Sequence, residues 1–184
     1  MSLFDPIGDD SKPQLILKPL PEAVPEIGLA LTMLADARRR TLRALDGLDA
    51  RSLDWIESGG NSIGTLLYHL AAIEMDWLFT EVAEGKLDQS VWDNFPHPVR
   101  DVNGRLTLVT GVTLVDHLAR LETTRRILLA TFQPMTLADY RQPRSLVRYD
   151  VSPEWVLHHL MQHEAEHRGE ILTIRMMAER ALGI

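Results

Sequence analysis

Residues 156–171 read VLHHLMQHEAEHRGEI. Apolar residues and histidines share one repeat in this stretch. Val156, Leu160, His163, His167, Ile171, Ile174 and Ala178 recur at steps of three and four, the spacing of one helical face turned to a core. His163 and His167 thus hold positions that an apolar side chain fills by default. They lie one turn apart, so their rings can converge on one ion. His159 continues the row, but it is two turns, about 12 Å, from His167. One straight helix cannot bring all three to one metal. The pair is 159/163 or 163/167, and a third ligand must come from another helix.

The same residues spell His163-Glu164-x-x-His167, the zinc-protease pattern H-E-x-x-H. That reading needs a third ligand downstream. The metzincin continuation puts His at position 173, where this chain has Thr173. The other main class takes a Glu from a further helix, and everything after His167 belongs to the same helix. No sheet edge is visible to align a peptide. A zincin fold is therefore rejected, and metal-assisted hydrolysis in a helical bundle stays open. Glu164, about 100° around the helix from His163, is expected along the flank.

Outward from this stretch, the sequence predicts four helices. The last covers 152–182, with Ser152 as N-cap, Pro153 at the first helical position and Gly183 near its end. The first covers 25–47, with Ile27, Leu31, Leu34, Leu42 and Leu45 near helical spacing and Gly47 as the stop. The second covers 61–84, capped by Asn61 or Ser62. The third covers 113–133, capped by Thr113 and ended by Pro134. On the second helix, Leu66, His69, Ile73 and Trp77 form a core stripe that includes a histidine. His69 plus a pair from the last helix makes a three-histidine site with open positions, the plan of a catalytic rather than a closed metal centre. His158 and His97 are expected at the surface, as is His117 beside Asp116. Arg168 is expected in a structural ion pair, and Tyr149 and Trp155 in packing, with the lining of a pocket as their alternative. Two long connections, 85–112 and 134–151, remain. A short hairpin or irregular loop is expected in the first, and both are expected to border the site.

Before the helices, Pro6, Pro13, Pro19, Pro21 and Pro25 fall within the first 25 residues. Proline removes donors and fixes φ, so residues 1–24 read as an extended arm, with Leu15-Ile16-Leu17 pinning it to the body. The fold class is all-α: a four-helix bundle over 25–184 with an extended proline-rich N-terminal arm over 1–24.

The 184 residues carry a net charge of −7 and no cysteine. Thiolate metal sites and iron–sulfur clusters are excluded, so any metal must use His, Asp, Glu or water. The acidic balance argues against a nucleic-acid partner. No secretory signal and no apolar run of membrane-spanning length is visible, so a cytoplasmic protein with no membrane partner is expected.

NSIGTLLYHL at 61–70 and HEAEHRGEI at 163–171 together resemble the DinB-like metal-binding four-helix bundles. The resemblance runs over roughly residues 25–182. It implies three metal ligands at His69, His163 and His167. It also implies a divalent ion, zinc or nickel, and thiol-dependent transferase or isomerase chemistry. Glu164 is not a fixed part of that family pattern. The leading expectation is a metal-dependent transferase. It would join a low-molecular-weight thiol, as cosubstrate, to a small-molecule electrophile. The alternatives are a metal-dependent hydrolase and a non-catalytic metal-binding stress-response protein. No catalytic side chain beyond the ligands is assigned. Leu114, Leu118, Leu121, Ile127, Leu128 and Leu129 give the third helix more apolar surface than one stripe needs, so a homodimer is expected.

Overall fold

A computed structural model describes residues 15–184, and they are mostly helical. Four long helices carry the fold: α1 (Pro25–Ala44), α3 (Ile63–Trp77), α4 (Leu114–Phe132) and α6 (Pro153–Leu182). Two short ones, α2 (Ala50–Leu53) and α5 (Leu137–Arg141), lie between them. α1 packs along α6, and α3 packs against both α4 and α6. Among the described residues, no helix is long and apolar enough to cross a membrane.

The helix starts follow the capping residues. Ser62 accepts from Thr65 N, Thr113 from Asp116 N and Ser152 from Trp155 N, each satisfying an amide that the first turn leaves free. Gly183 closes α6 in the left-handed conformation at φ 66°.

The ends differ from the sequence reading in three places. α1 stops at Ala44, short of Gly47. Leu45 N turns back to Leu42 O and Asp46 N to Arg43 O, a tighter winding that ends the helix, and Gly47 takes a positive φ in the turn beyond. Leu42 faces out, and the core positions of that stretch go to Arg38 and Thr41. α3 gives way after Trp77 to a π-helical turn, Leu78–Val82. Residues 134–151 hold α5 and a hairpin, β1 (Arg144–Ser145) paired antiparallel with β2 (Asp150–Val151). Strands of two residues are too short to show an alternation in sequence. The 85–112 connection contains a 3₁₀ turn, Gln89–Asn94, and an isolated antiparallel bridge between Arg100 and Leu106.

Residues 1–14 of the expected arm lie outside the described residues. Residues 15–24 form no helix. Leu15, Ile16 and Leu17 do not pin this stretch to the body, because all three are exposed. The anchors come just after them. Thr32 Oγ1 donates to Lys18 O, Leu20 N donates to Gly28 O, and Leu20 packs on the core.

That core has two apolar ends. One gathers Ile27, Leu31, Leu34, Leu128, Phe132, Val156 and Leu160. The other gathers Leu45, Leu66, Leu70, Leu121 and Ile171. Between them, each long helix contributes one charged residue: Arg38 from α1, Glu74 from α3, Arg125 from α4 and Glu164 from α6, all buried. Arg38 donates through Nε to Glu164 and through Nη2 to Glu74, both at 2.9 Å. Arg125 holds Glu74 with two bonds of 2.8 and 2.9 Å. The guanidinium groups also reach backbone carbonyls, Arg38 to Leu121 O and Arg125 to Leu34 O.

Candidate metal centre

The histidine face of α6 lies against the histidine face of α3. His163 Nε2 stands 3.1 Å from His69 Nε2 and 3.1 Å from His167 Nε2. One ring nitrogen from each of the three falls within 4.8 Å of the others. Of the two pairs left open by helical spacing, 163/167 is the one that meets His69. His159, one turn earlier, stacks on Trp155 and lies against Trp77.

The spacing fits a bound ion. Zinc–nitrogen bonds of about 2.0–2.1 Å set neighbouring ligands about 2.9 Å apart in an octahedral shell and about 3.4 Å apart in a tetrahedral one. The observed 3.1 Å lies between. Hydrogen bonding alone fits poorly. A neutral imidazole nitrogen offers either one N–H or one lone pair, and His163 Nε2 faces two nitrogens. The donor set is three imidazoles without thiolate or carboxylate, a set that suits zinc, copper, iron or nickel.

Electrostatics keep His69 and His163 in the form that binds metal. Burial pushes His163 down to about 3, and the charges of His167, His69 and His159 add to the shift. Burial likewise pushes His69 down to about 4, aided by His167 and by Arg100 from the 85–112 connection. Neutral imidazoles, with their lone pairs free, are the metal-binding form. Outside the cluster, His167 Nδ1 meets Glu170 Oε2 at 3.2 Å, which orients the ring with Nε2 inward. His69 Nδ1 is buried without a hydrogen-bond partner among the described residues.

Glu164 departs from the sequence reading. It is buried rather than on the flank, and Arg38 holds its carboxylate. The glutamate of the H-E-x-x-H spelling is therefore a structural ion-pair member held by Arg38. The signal was available: Arg38, Arg125 and Glu164 all sit at core spacing on their helices, Arg125 between Leu121, Leu128 and Phe132.

His117 also departs from expectation. It is fully buried on α4, because Gly64 leaves room for its ring. A Cβ at Gly64 would stand 3.1 Å from His117 Nε2. Burial, helped by Arg120, holds His117 down at about 4, against the opposite pull of Asp54 and Asp116. His97 and His158 are exposed as expected. The backbone of His97 is tied to the Tyr68 hydroxyl, which donates to His97 O and accepts from His97 N. Arg168 donates to Ala37 O, tying α6 to α1 through a carbonyl. Trp155 and Tyr149 are both partly exposed and line a cavity, so of the two expectations for them packing gives way to pocket lining.

Among curated proteins, none matches this chain. The family description does match. It covers residues 33–171, a span that begins inside α1, ends on α6 four residues past His167, and takes in the three imidazoles with the charged quartet beside them. On that match the chain belongs to the DinB superfamily.

Proposed function

We propose that this protein is a metal-dependent transferase that joins a low-molecular-weight thiol to a small electrophile, within a four-helix bundle formed by α1, α3, α4 and α6. His69, His163 and His167 would hold a divalent ion, zinc or nickel. Such an ion, when bound, lowers the pKa of a thiol and makes the nucleophile available at neutral pH. The observation that carries the reading is the convergence of three imidazoles, with His163 Nε2 standing 3.1 Å from Nε2 of each of the other two. Three imidazoles leave coordination positions for a substrate, and they leave the ion's charge uncompensated, which favours an anionic sulfur ligand.

The chain's own residues favour transfer over hydrolysis. Hydrolysis assisted by a carboxylate base would need a free carboxylate beside the imidazoles. Glu164, which follows His163 directly in the chain, is committed to Arg38. Glu170 is committed to orienting His167.

The test is a titration of cobalt- or nickel-substituted protein with several biological thiols, followed by a screen for turnover of small electrophiles. A sulfur-to-metal charge-transfer band and thiol-dependent turnover are expected. Thiol-independent ester or amide cleavage, with no spectral change, would replace this reading with a hydrolase. The protein is further proposed to be a homodimer, supported by the exposed apolar residues Val115 on α4 and Leu172 and Met176 on α6. A monomer mass by light scattering at high concentration would refute that.

A further inference from the structure

The seam between α3 and α6 continues beyond the imidazoles. On α3, Trp77 lies two turns past His69; on α6, Trp155 lies two turns before His163, about 12 Å along each axis. The two indoles meet, with ring centroids 5.4 Å apart. His159 bridges them to the imidazole cluster, stacked on Trp155 at 5.2 Å and 5.9 Å from the His163 ring. Tyr149, from β1–β2, adds a third ring at 6.3 Å from Trp77, with the planes only 23° apart. Its hydroxyl is fixed by a 2.8 Å bond to Glu81 on the π-helical turn. The hydrogen bond to Glu81 raises the Tyr149 pKa, so the phenol stays neutral.

Trp77, Tyr149 and Trp155 wall a cavity of about 410 Å³ whose other sides are Pro143, Val151 and the rim residues Arg141 and Asp150. That volume suits a small molecule. Trp155 keeps 47% of its surface exposed and Tyr149 keeps 44%, so neither ring is there only to fill the core. The rings touch one another and form a continuous wall rather than a box with a central gap. A wall of this kind stacks a flat ligand, whereas an ammonium needs ring faces converging on one point. Arg141 and Asp150 bring opposite charges to the rim, where Arg141 also pairs with Glu154 at 3.8 Å, so the ring surface rather than a single charge is the selecting feature.

We propose that this cavity is a binding site for a flat aromatic or conjugated molecule, and that it holds the body of the electrophile. The second half of the proposal rests on the transferase reading; the first does not. Calorimetric titration with indole, a planar and weakly metal-ligating probe, tests the site directly. Cyclohexanol and tetramethylammonium serve as a non-planar and a cationic comparison. Indole should bind at least about tenfold more tightly than either, and Trp155→Ala should weaken it about tenfold. Trp155 is half exposed, so the variant retains the fold, and Tyr149→Ala provides a second reading. Tetramethylammonium binding as tightly as indole would overturn the proposal, as would unchanged indole affinity in both variants. Indole binding that responds to Trp155→Ala, in a protein without thiol-dependent turnover, would sustain the site and overturn the transferase reading. Turnover of flat electrophiles at unchanged kcat/KM in Trp155→Ala would sustain the transferase reading and overturn the placement of the electrophile in this cavity.

Discussion

His163 is the central ligand candidate, since its Nε2 faces both partners at 3.1 Å. Changing His69, His163 or His167 singly to Ala is expected to strip most of the metal, as read by elemental analysis after purification. His97→Ala and His158→Ala should leave the metal content unchanged, because both rings are exposed and away from the cluster. If His69→Ala retains full occupancy, the three-imidazole set is wrong. Glu170 acts one bond further out. Removing a carboxylate that orients a ligating imidazole costs about 10–100-fold in metal affinity. Glu170→Gln should show a loss of that order in a competitive chelator titration, and Glu166→Gln should show none. A separate residue-scale test concerns His117. Its folded pKa, about 4, lies below the ordinary histidine value of 6.5. Below pH 6.5 the unfolded chain therefore binds a proton that the folded chain refuses. Stability falls as pH drops from 6.5 toward 4 and is fully present above that window. In His117→Gln, urea denaturation at several pH values should show an acid limb shallower by up to one proton. An unchanged slope would remove His117 from the account.

At the scale of elements, the segment before α1 is held by a backbone contact that only glycine permits. A Cβ at Gly28 would stand 2.7 Å from Leu20 O and 3.0 Å from Leu20 N. Gly28→Ala should detach residues 15–24 while leaving the long helices in place, seen as faster proteolysis in that segment with little change in helical circular dichroism. Equal proteolysis rates would mean that Lys18 and Leu20 are not the anchors. The long helices themselves were readable in the sequence. Three of the four are capped by single side chains with one partner three residues on, Ser62, Thr113 and Ser152, and their apolar stripes repeat over many turns. The imidazole cluster was readable for the same reason, because His69, His163 and His167 interrupt stripes that are otherwise apolar. What escaped depends on contacts between distant segments. The burial of His117 needs the absent side chain of Gly64, and the exposed face of Leu42 follows from Arg38 and Thr41 taking the core positions. The end of α1 at Ala44 is held by Arg175 of α6, which donates to Ala44 O and Asp46 O, rather than by Gly47.

At the scale of the whole molecule, the charged quartet is the waist between two apolar ends. On α1 it falls between Leu34 and Leu45, on α4 between Leu121 and Leu128, and on α6 between Leu160 and Ile171. Burial alone would lower the Arg38 pKa, but Glu74 and Glu164 outweigh it and leave it raised. Burial alone would raise that of Glu74, but Arg125 and Arg38 outweigh it and leave it lowered. Arg38 and Glu74 therefore stay charged in the fold. Each charge is satisfied only when α1, α3, α4 and α6 are in register, so the quartet couples the helices in a way that apolar contacts, which tolerate sliding, do not. Removing one member strands the others. Glu164→Gln or Arg38→Met is expected to cost about 3–5 kcal/mol in urea denaturation, the usual penalty for an uncompensated buried charge. Replacing all four with apolar residues of similar volume should cost far less, or even stabilise, since no charge is then desolvated. The two outcomes separate stability from register. If register is what the quartet supplies, the all-apolar protein will unfold at equal or higher urea concentration yet bind metal more weakly, because His69 on α3 is aligned with His163 and His167 on α6 through Glu74, Arg38 and Glu164. Unchanged metal affinity in that protein would show that apolar packing alone sets the alignment of the site.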